Sequence, residues 1–353
     1  MKSKLLKVSL IALLMVPFLI GIFAKIPVFT PRQQRKPPPK IIRTCCQFGS
    51  DVTMFGMPFR KLNAISAPAL LGQHVYLGDK EENNGIIYTH RGGFIDVGHL
   101  RDQADWTAFL YFNILQNRSK QEMNIRLGRE GGVKSLVVKN APELTDRDRL
   151  AIAGHIAFDL SVWHELSTWF GVSYIPLIPE RYSSFSPEDL YSNALGVLLG
   201  MDAIQSARPF EAAMTRAIQI TLDTLMTVET IEDTKKCMQA VEGKWWTRRV
   251  PLPSGRFLIN RYYDAYRPLQ PWLIPQDEGH YVPKEIRLVD KTIEGRPLTD
   301  YYTLKIRTNF RVPVKKIFPE RKTHEITNMD FPAMIRWVRE DVARKEARHA
   351  GKG

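Results

Sequence analysis

SVWHELSTWFG, Ser161 to Gly171, is the stretch on which the reading of this chain turns. It carries the His-Glu pair that opens the zinc-protease signature. In that signature two histidines one helical turn apart hold the metal and the glutamate serves as base. The second histidine would stand at position 168, where the chain has Thr168. A threonine supplies no imidazole, so this helix alone does not build that site. It is nonetheless a strong helix. Thr145 caps a run that reaches about Phe170, with Asp148 in the third helical position. Leu160, Trp163, His164 and Ser167 form one stripe, and Ser161, Glu165 and Trp169 another, both flanked by apolar residues. Such a helix is buried on most sides and belongs in the middle of the fold. Glu165 is then costly unless a cation, a metal or a hydrogen-bond donor meets it. His155 and Asp159, at i and i+4, can share a ligand on the same helix. A core histidine bonded to a serine or a carbonyl is the structural alternative for His164.

The neighbouring segments extend the helical middle. RDQADWTAFLYFNILQN, from Arg101, has the apolar spacing of a largely buried helix. GGVKSLVVKN reads as a strand. SPED starts a helix that ends near Gly200, with Ser186 as N-cap, Pro187 at the first position and Asp189 completing a capping box. Gly196 and Gly200 suit close helix packing. RPFEAAMTRAIQITLDTLMTV is a further helix. Residues 41–100 hold short apolar runs between glycines, and residues 231–310 hold β-branched and aromatic runs broken by turn residues, so both read as strands and hairpins. The tail from Asp330 is an amphipathic helix. The predicted class is α+β: a helical central bundle with β-rich N- and C-terminal flanks. Residues 41–230 form a mixed region with the helical core and the candidate site, and residues 231–353 a hairpin-rich region ending in a helix.

Composition agrees with a globular body, at 44% hydrophobic and 25% charged residues over 353. The net charge of +13 is unevenly placed: +8 falls in residues 1–40, which contain no acid. That argues against a nucleic-acid groove and for a membrane-proximal basic segment. MKSKLLK followed by the apolar run Val8 to Ala24 reads as a signal peptide or an N-terminal anchor over residues 1–24. Lysines before the run direct the body across the inner membrane, into the periplasm. Residues 25–40 are a stiff Pro/Lys/Arg-rich linker. The aromatic and basic stretch from Lys244 to Arg267 is explained by cross-strand packing rather than base stacking.

Three more stretches carry candidate chemistry. RTCCQFG holds Cys45 and Cys46, which read as a structural pair, as partners for Cys237, or as a nucleophile activated by His90 or His99. YTHRGGFIDVGHLRDQAD concentrates His90, Asp96, His99, Arg101, Asp102 and Asp105. Asp96 and His99 at a strand-to-helix junction suit a metal ligand or a base with its orienting partner. Asp102 and Asp105 have a plainer explanation in the first helical turn. FSPEDLYSNALG adds Glu188, Asp189, Ser192 and Asn193, a polar helix face that can supply the ligand Thr168 does not.

Together RTCCQFG, GGFIDVGHLRD, SVWHELSTWFG and FSPEDLYSNALG resemble an uncharacterised family of exported bacterial proteins. That family is defined by a domain of unknown function and is often labelled lipoprotein. This chain lacks the acylated cysteine after its apolar run. The resemblance implies a cell-envelope location. From the residues, the leading expectation is a metal-assisted hydrolase. His164, Glu188 and Asp189 would hold a divalent metal such as zinc, and Glu165, His99 and Asp96 would do the acid–base work. A cysteine-dependent acyltransferase or hydrolase, and a non-catalytic envelope scaffold, are the alternatives.

Overall fold

The computed structural model describes residues 64–172, 183–248 and 258–350, together with 38, 43, 47–51, 53–54, 57–61 and 181. The basic leader, Cys45 and Cys46 lie outside the described residues, as does most of the linker.

The first strands among the described residues form two small antiparallel hairpins. Strands β1 (Thr53–Met54) and β2 (Met57–Lys61) form the first, and β3 (Ile86–Thr89) and β4 (Gly93–Asp96) the second. The second runs straight into helix α1 (Val97–Gln116), so Asp96 is both the last strand residue and the helix N-cap. Strands β5 (Glu122–Arg129) and β6 (Gly132–Lys139) follow. Helix α2 (Asp146–Trp169) comes next, closed at its start by the Thr145/Asp148 capping box expected from sequence. Helix α3 (Asp189–Gln205) begins three residues after Ser186. The capping idea survives in half: the Ser186 amide donates to Asp189 Oδ2 at 2.8 Å, whereas the Ser186 hydroxyl turns to Glu188 Oε1 at 2.7 Å.

Helices α1, α2 and α3 pack against one another, and the close fit comes from glycine. A Cβ on Gly196 would sit 2.1 Å from the Leu100 carbonyl oxygen, and one on Gly200 would sit 2.8 Å from Ala104 Cα. These two positions let α3 lie directly on α1 (compare the interaxial distances that larger side chains impose). The core around them includes Leu100, Ala104, Ile152, Ile156, Val197 and Trp163.

Helices α4 (Phe210–Thr224) and α5 (Ile231–Ala240) complete the helical part. The C-terminal region holds less strand than its aromatic runs predict. From Leu258 to Pro297 the chain makes single bridges such as Leu269 to Ile286 instead of hairpins. Pro268, Pro271, Pro275 and Pro283 remove ladder donors through this span. One long strand does form, β7 (Tyr302–Thr308), and its partner is β6. After the short helix α6 (Val314–Ile317), β8 (Glu325–Thr327) adds to β7. The result is a four-stranded antiparallel sheet in the order β5-β6-β7-β8, drawn from both regions of the chain. Helix α7 (Phe331–Ala350) closes the chain. The α+β class expected from sequence is what the chain adopts.

Candidate functional site

The site lies where the N-terminal ends of α1 and α3 meet the C-terminal half of α2. Three constraints build it. The first is Trp163, fully buried, whose indole N–H donates to the Glu130 carbonyl at 2.8 Å. This pins the β5–β6 turn on α2. Gly131 makes the turn with φ +62°, and a Cβ there would meet Trp163 at 2.9 Å. The turn thus aims the Glu130 carboxylate at the next residue of α2. His164 Nδ1 stands 2.9 Å from Glu130 Oε1, while Lys134 Nζ donates to Glu130 Oε2 at 2.5 Å. Lys134 is in phase with Leu136 and Val138 on the inner face of β6, so its charge is buried and committed to Glu130. Burial alone would raise the Glu130 carboxyl, but Lys134 and His164 together hold it well below the usual carboxylate range.

The second constraint is the β4–α1 junction. Asp96 Oδ1 accepts the Gly98 and His99 amides at 2.8 and 3.1 Å, which caps α1. The Asp96 amide in turn donates to Ser192 Oγ at 2.9 Å. The cap holds His99 where it meets α3: His99 Nδ1 lies 3.2 Å from Asp189 Oδ1. Asp189 therefore acts twice, with Oδ2 on the Ser186 amide and Oδ1 on His99.

The third is a buried acid layer behind the two histidines. Glu165 accepts the Phe185 amide at 2.6 Å, and the Ser184 hydroxyl donates to its carbonyl at 2.7 Å. Burial, reinforced by the Asp189 charge, pushes the Glu165 carboxyl up to about 8. Glu188 and Asp96 are raised for the same first reason, burial, and each is further raised by a neighbouring carboxylate. Asp96 Oδ2 and Glu188 Oε2 have no hydrogen-bond partner among the described residues. Burial in this setting disfavours the ionised form of these acids.

In front of that layer is a cavity of about 30 Å³, room for a water molecule. His99, Glu130, Lys134, Ser161, His164 and Asn193 border it, with Asp102 and Trp106. The His99 and His164 rings meet edge to face with centroids 6.3 Å apart. The His164 side chain is 14% exposed and so reaches the surface, whereas Glu130 and Lys134 do not.

Of the residues singled out from sequence, the fold brings Asp96, His99, His164, Glu165, Glu188, Asp189, Ser192 and Asn193 together. His90 lies elsewhere: its Nδ1 is 2.7 Å from Asp277 Oδ2 and its ring stacks on Tyr281. Arg101 is structural, donating to the Gly72 carbonyl at 2.7 Å and standing 3.3 Å from Glu82. Asp102 and Asp105 do not serve the helix dipole. They point inward to Arg43 at 2.7 and 3.0 Å, because one buried guanidinium gathers Glu82, Asp102 and Asp105. Burial pushes the Asp102 carboxyl up to about 7 in spite of Arg43. Cys237 is buried, and burial pushes its thiol up to about 12; its pairing with Cys45 or Cys46 lies outside the described residues. His155 and Asp159 share a partner as their spacing allows, the Tyr302 hydroxyl, at 2.7 and 2.5 Å. Among the described residues no three His, Cys, Asp or Glu side chains form a group arranged to hold a metal ion.

Sequence reasoning missed Glu130 and Lys134. Glu130 sits in a charged Gly-rich turn, where an acid reads as solvated. Lys134 did leave a signal, being a lysine on the same strand face as Leu136 and Val138.

A family model described as Protein of unknown function (DUF4056) matches residues 33–275. The chain belongs to this family. No curated protein and no solved structure matches it. The DUF4056 region contains α1, α2, α3 and the β5–β6 turn, and therefore every residue of the site, but ends before β7. Among the described residues no helix is long and apolar enough to cross a membrane.

Proposed function

We propose that the protein is a hydrolase of acyl bonds, ester or amide, that works through a pair of carboxylate-held imidazoles. One observation carries this reading: His164 and His99 border one water-sized cavity, and each has a carboxylate oxygen at its Nδ1, at 2.9 and 3.2 Å. The Glu130 carboxylate hydrogen-bonded at His164 Nδ1 favours the tautomer with the proton there and puts the basic lone pair on Nε2. His164 is the base. It takes a proton from water as the water oxygen bonds to the acyl carbon. The imidazolium formed on His164 returns that proton to the leaving oxygen or nitrogen as the acyl bond breaks, while His99, beside Asp189, borders the attacking water. Glu130 steadies the imidazolium that forms on His164.

The cavity admits water but no substrate, so the scissile bond lies across its mouth, at the exposed edge of His164. Glycosidic chemistry is less well supported, because Glu165, Glu188 and Asp189 are buried behind the histidines and do not border the cavity. The metal-assisted form of the idea requires three ligands at one point, and the steps above use protein groups only. An envelope location, with residues 1–24 as signal or anchor, is part of the proposal. So is contact of the basic linker with the inner membrane.

The test is turnover of fluorogenic ester and peptide substrates by the full chain and by His164→Gln. A fall of about a hundredfold at unchanged melting temperature supports the assignment. About one zinc per chain, lost in the same variant, would replace it with a metal centre.

A further inference from the structure

Helix α2 separates two cavities. Leu160, Ser161 and His164 face the first. His155, Phe158 and Asp159 face a second of about 390 Å³, on the other side of the helix. That volume lies in the range of small-molecule sites, about 300–1,000 Å³, and the proposed hydrolysis makes no use of it.

Its inner end is a fixed polar cluster. Buried Asp159 accepts the Tyr302 hydroxyl at 2.5 Å and the Tyr266 hydroxyl at 3.0 Å, and His155 Nδ1 is 2.7 Å from the same Tyr302 oxygen. The four groups orient one another and hold the helix side of the cavity in one shape. The walls are apolar, with Phe158 and Leu269 buried and Leu288 half-buried. The mouth is charged. Arg267, Arg287 and Asp290 border it and are exposed, two cations against one anion. Among the described residues neither Arg267 nor Arg287 has an ion-pair partner. Two guanidinium groups at the entrance of an apolar pocket match a planar or tetrahedral oxyanion carried on an apolar body.

We propose that this second cavity binds a small organic oxyanion, a carboxylate or phosphate ester, with its charged group between Arg267 and Arg287 and its apolar body against Phe158, Leu269 and Leu288.

Isothermal titration of the full chain with 3-phenylpropionate and with phenyl phosphate tests this, with 3-phenylpropanol as the neutral control. Binding of at least one anion, but not of the alcohol, is expected, and the anion that binds identifies the carboxylate or the phosphate source. The double variant Arg267→Ala/Arg287→Ala, confined to exposed side chains, should weaken it at least tenfold. Leu288→Trp, which narrows the cavity and keeps both arginines, should do the same. His164→Gln should bind as the wild type does. No binding of either anion overturns the proposal. So does wild-type affinity in the double arginine variant, or in Leu288→Trp, which would mean association with surface charge alone. Loss in His164→Gln would place the anion at the other site, and would also overturn it.

Discussion

At the scale of single residues, the site depends on one buried carboxylate. Glu130 neutralises Lys134 and orients His164, and all three are held by a turn that Trp163 pins. Removing it leaves a buried ammonium with no counter-charge. Glu130→Ala should therefore cost about 3–5 kcal/mol in chemical denaturation. The double variant Glu130→Ala/Lys134→Met should recover most of that loss, because both charges leave together. Equal losses in the single and double variants would show that the pair is not a unit. His164 differs in being part-exposed, so its replacement by glutamine tests chemistry without disturbing the core.

At the scale of elements, the distance from His99 to Asp189 is set by how closely α3 lies on α1. Gly196 sits against the Leu100 carbonyl, one residue beyond His99. Gly196→Ala would have to separate the helices at the point that carries the pair. A stability loss of about 2–3 kcal/mol is expected in thermal or urea unfolding, together with reduced turnover. An unchanged melting temperature would mean that α1 and α3 are not packed as described. Much of this scale was legible in the sequence. The Thr145 cap, the strand that ends in Asp96, and the small residues Gly196 and Gly200 are all local signals. Polar residues at Asp96, His99, His164 and Asp189 stood out because they interrupt otherwise apolar elements, and the fold gathers them. What was not legible was long-range. That β6 pairs with β7 is not written in either strand, and the partner of His164 comes from a turn whose charge looks solvent-facing. The helix start also shifted, since Ser186 spends its hydroxyl on Glu188 rather than on the Asp189 amide.

At the scale of the whole molecule, the buried acids divide into two sets with opposite effects on stability. Glu82 is held down to about 2: burial would raise it, and Arg43 outweighs that, while Glu130 is also lowered. Their stabilisation is present above the unfolded value of about 4.5 and is lost as pH falls toward 2. Glu165 at about 8, Asp102 at about 7, and Glu188 and Asp96, raised by burial, behave in the reverse sense. The contribution of Glu165 and Asp102 is fully present below the unfolded carboxylate range and is lost as pH rises toward 8, and that of Glu188 and Asp96 falls in the same direction. Stability should peak near pH 5 and decline toward pH 8, as followed by urea midpoints across pH. Glu165→Gln, which keeps an acceptor for the Phe185 amide, should flatten the decline and raise stability at pH 8 by about 2 kcal/mol. A flat profile in the wild type would contradict carboxyls raised by burial.

The central claim is that His164, oriented by Glu130, is the base of a hydrolytic centre. Its most direct test is the turnover of an ester and amide substrate panel by the full chain beside His164→Gln, with melting temperatures matched. The account predicts a rate at least about a hundredfold lower in the variant. Equal rates in the two proteins would contradict it.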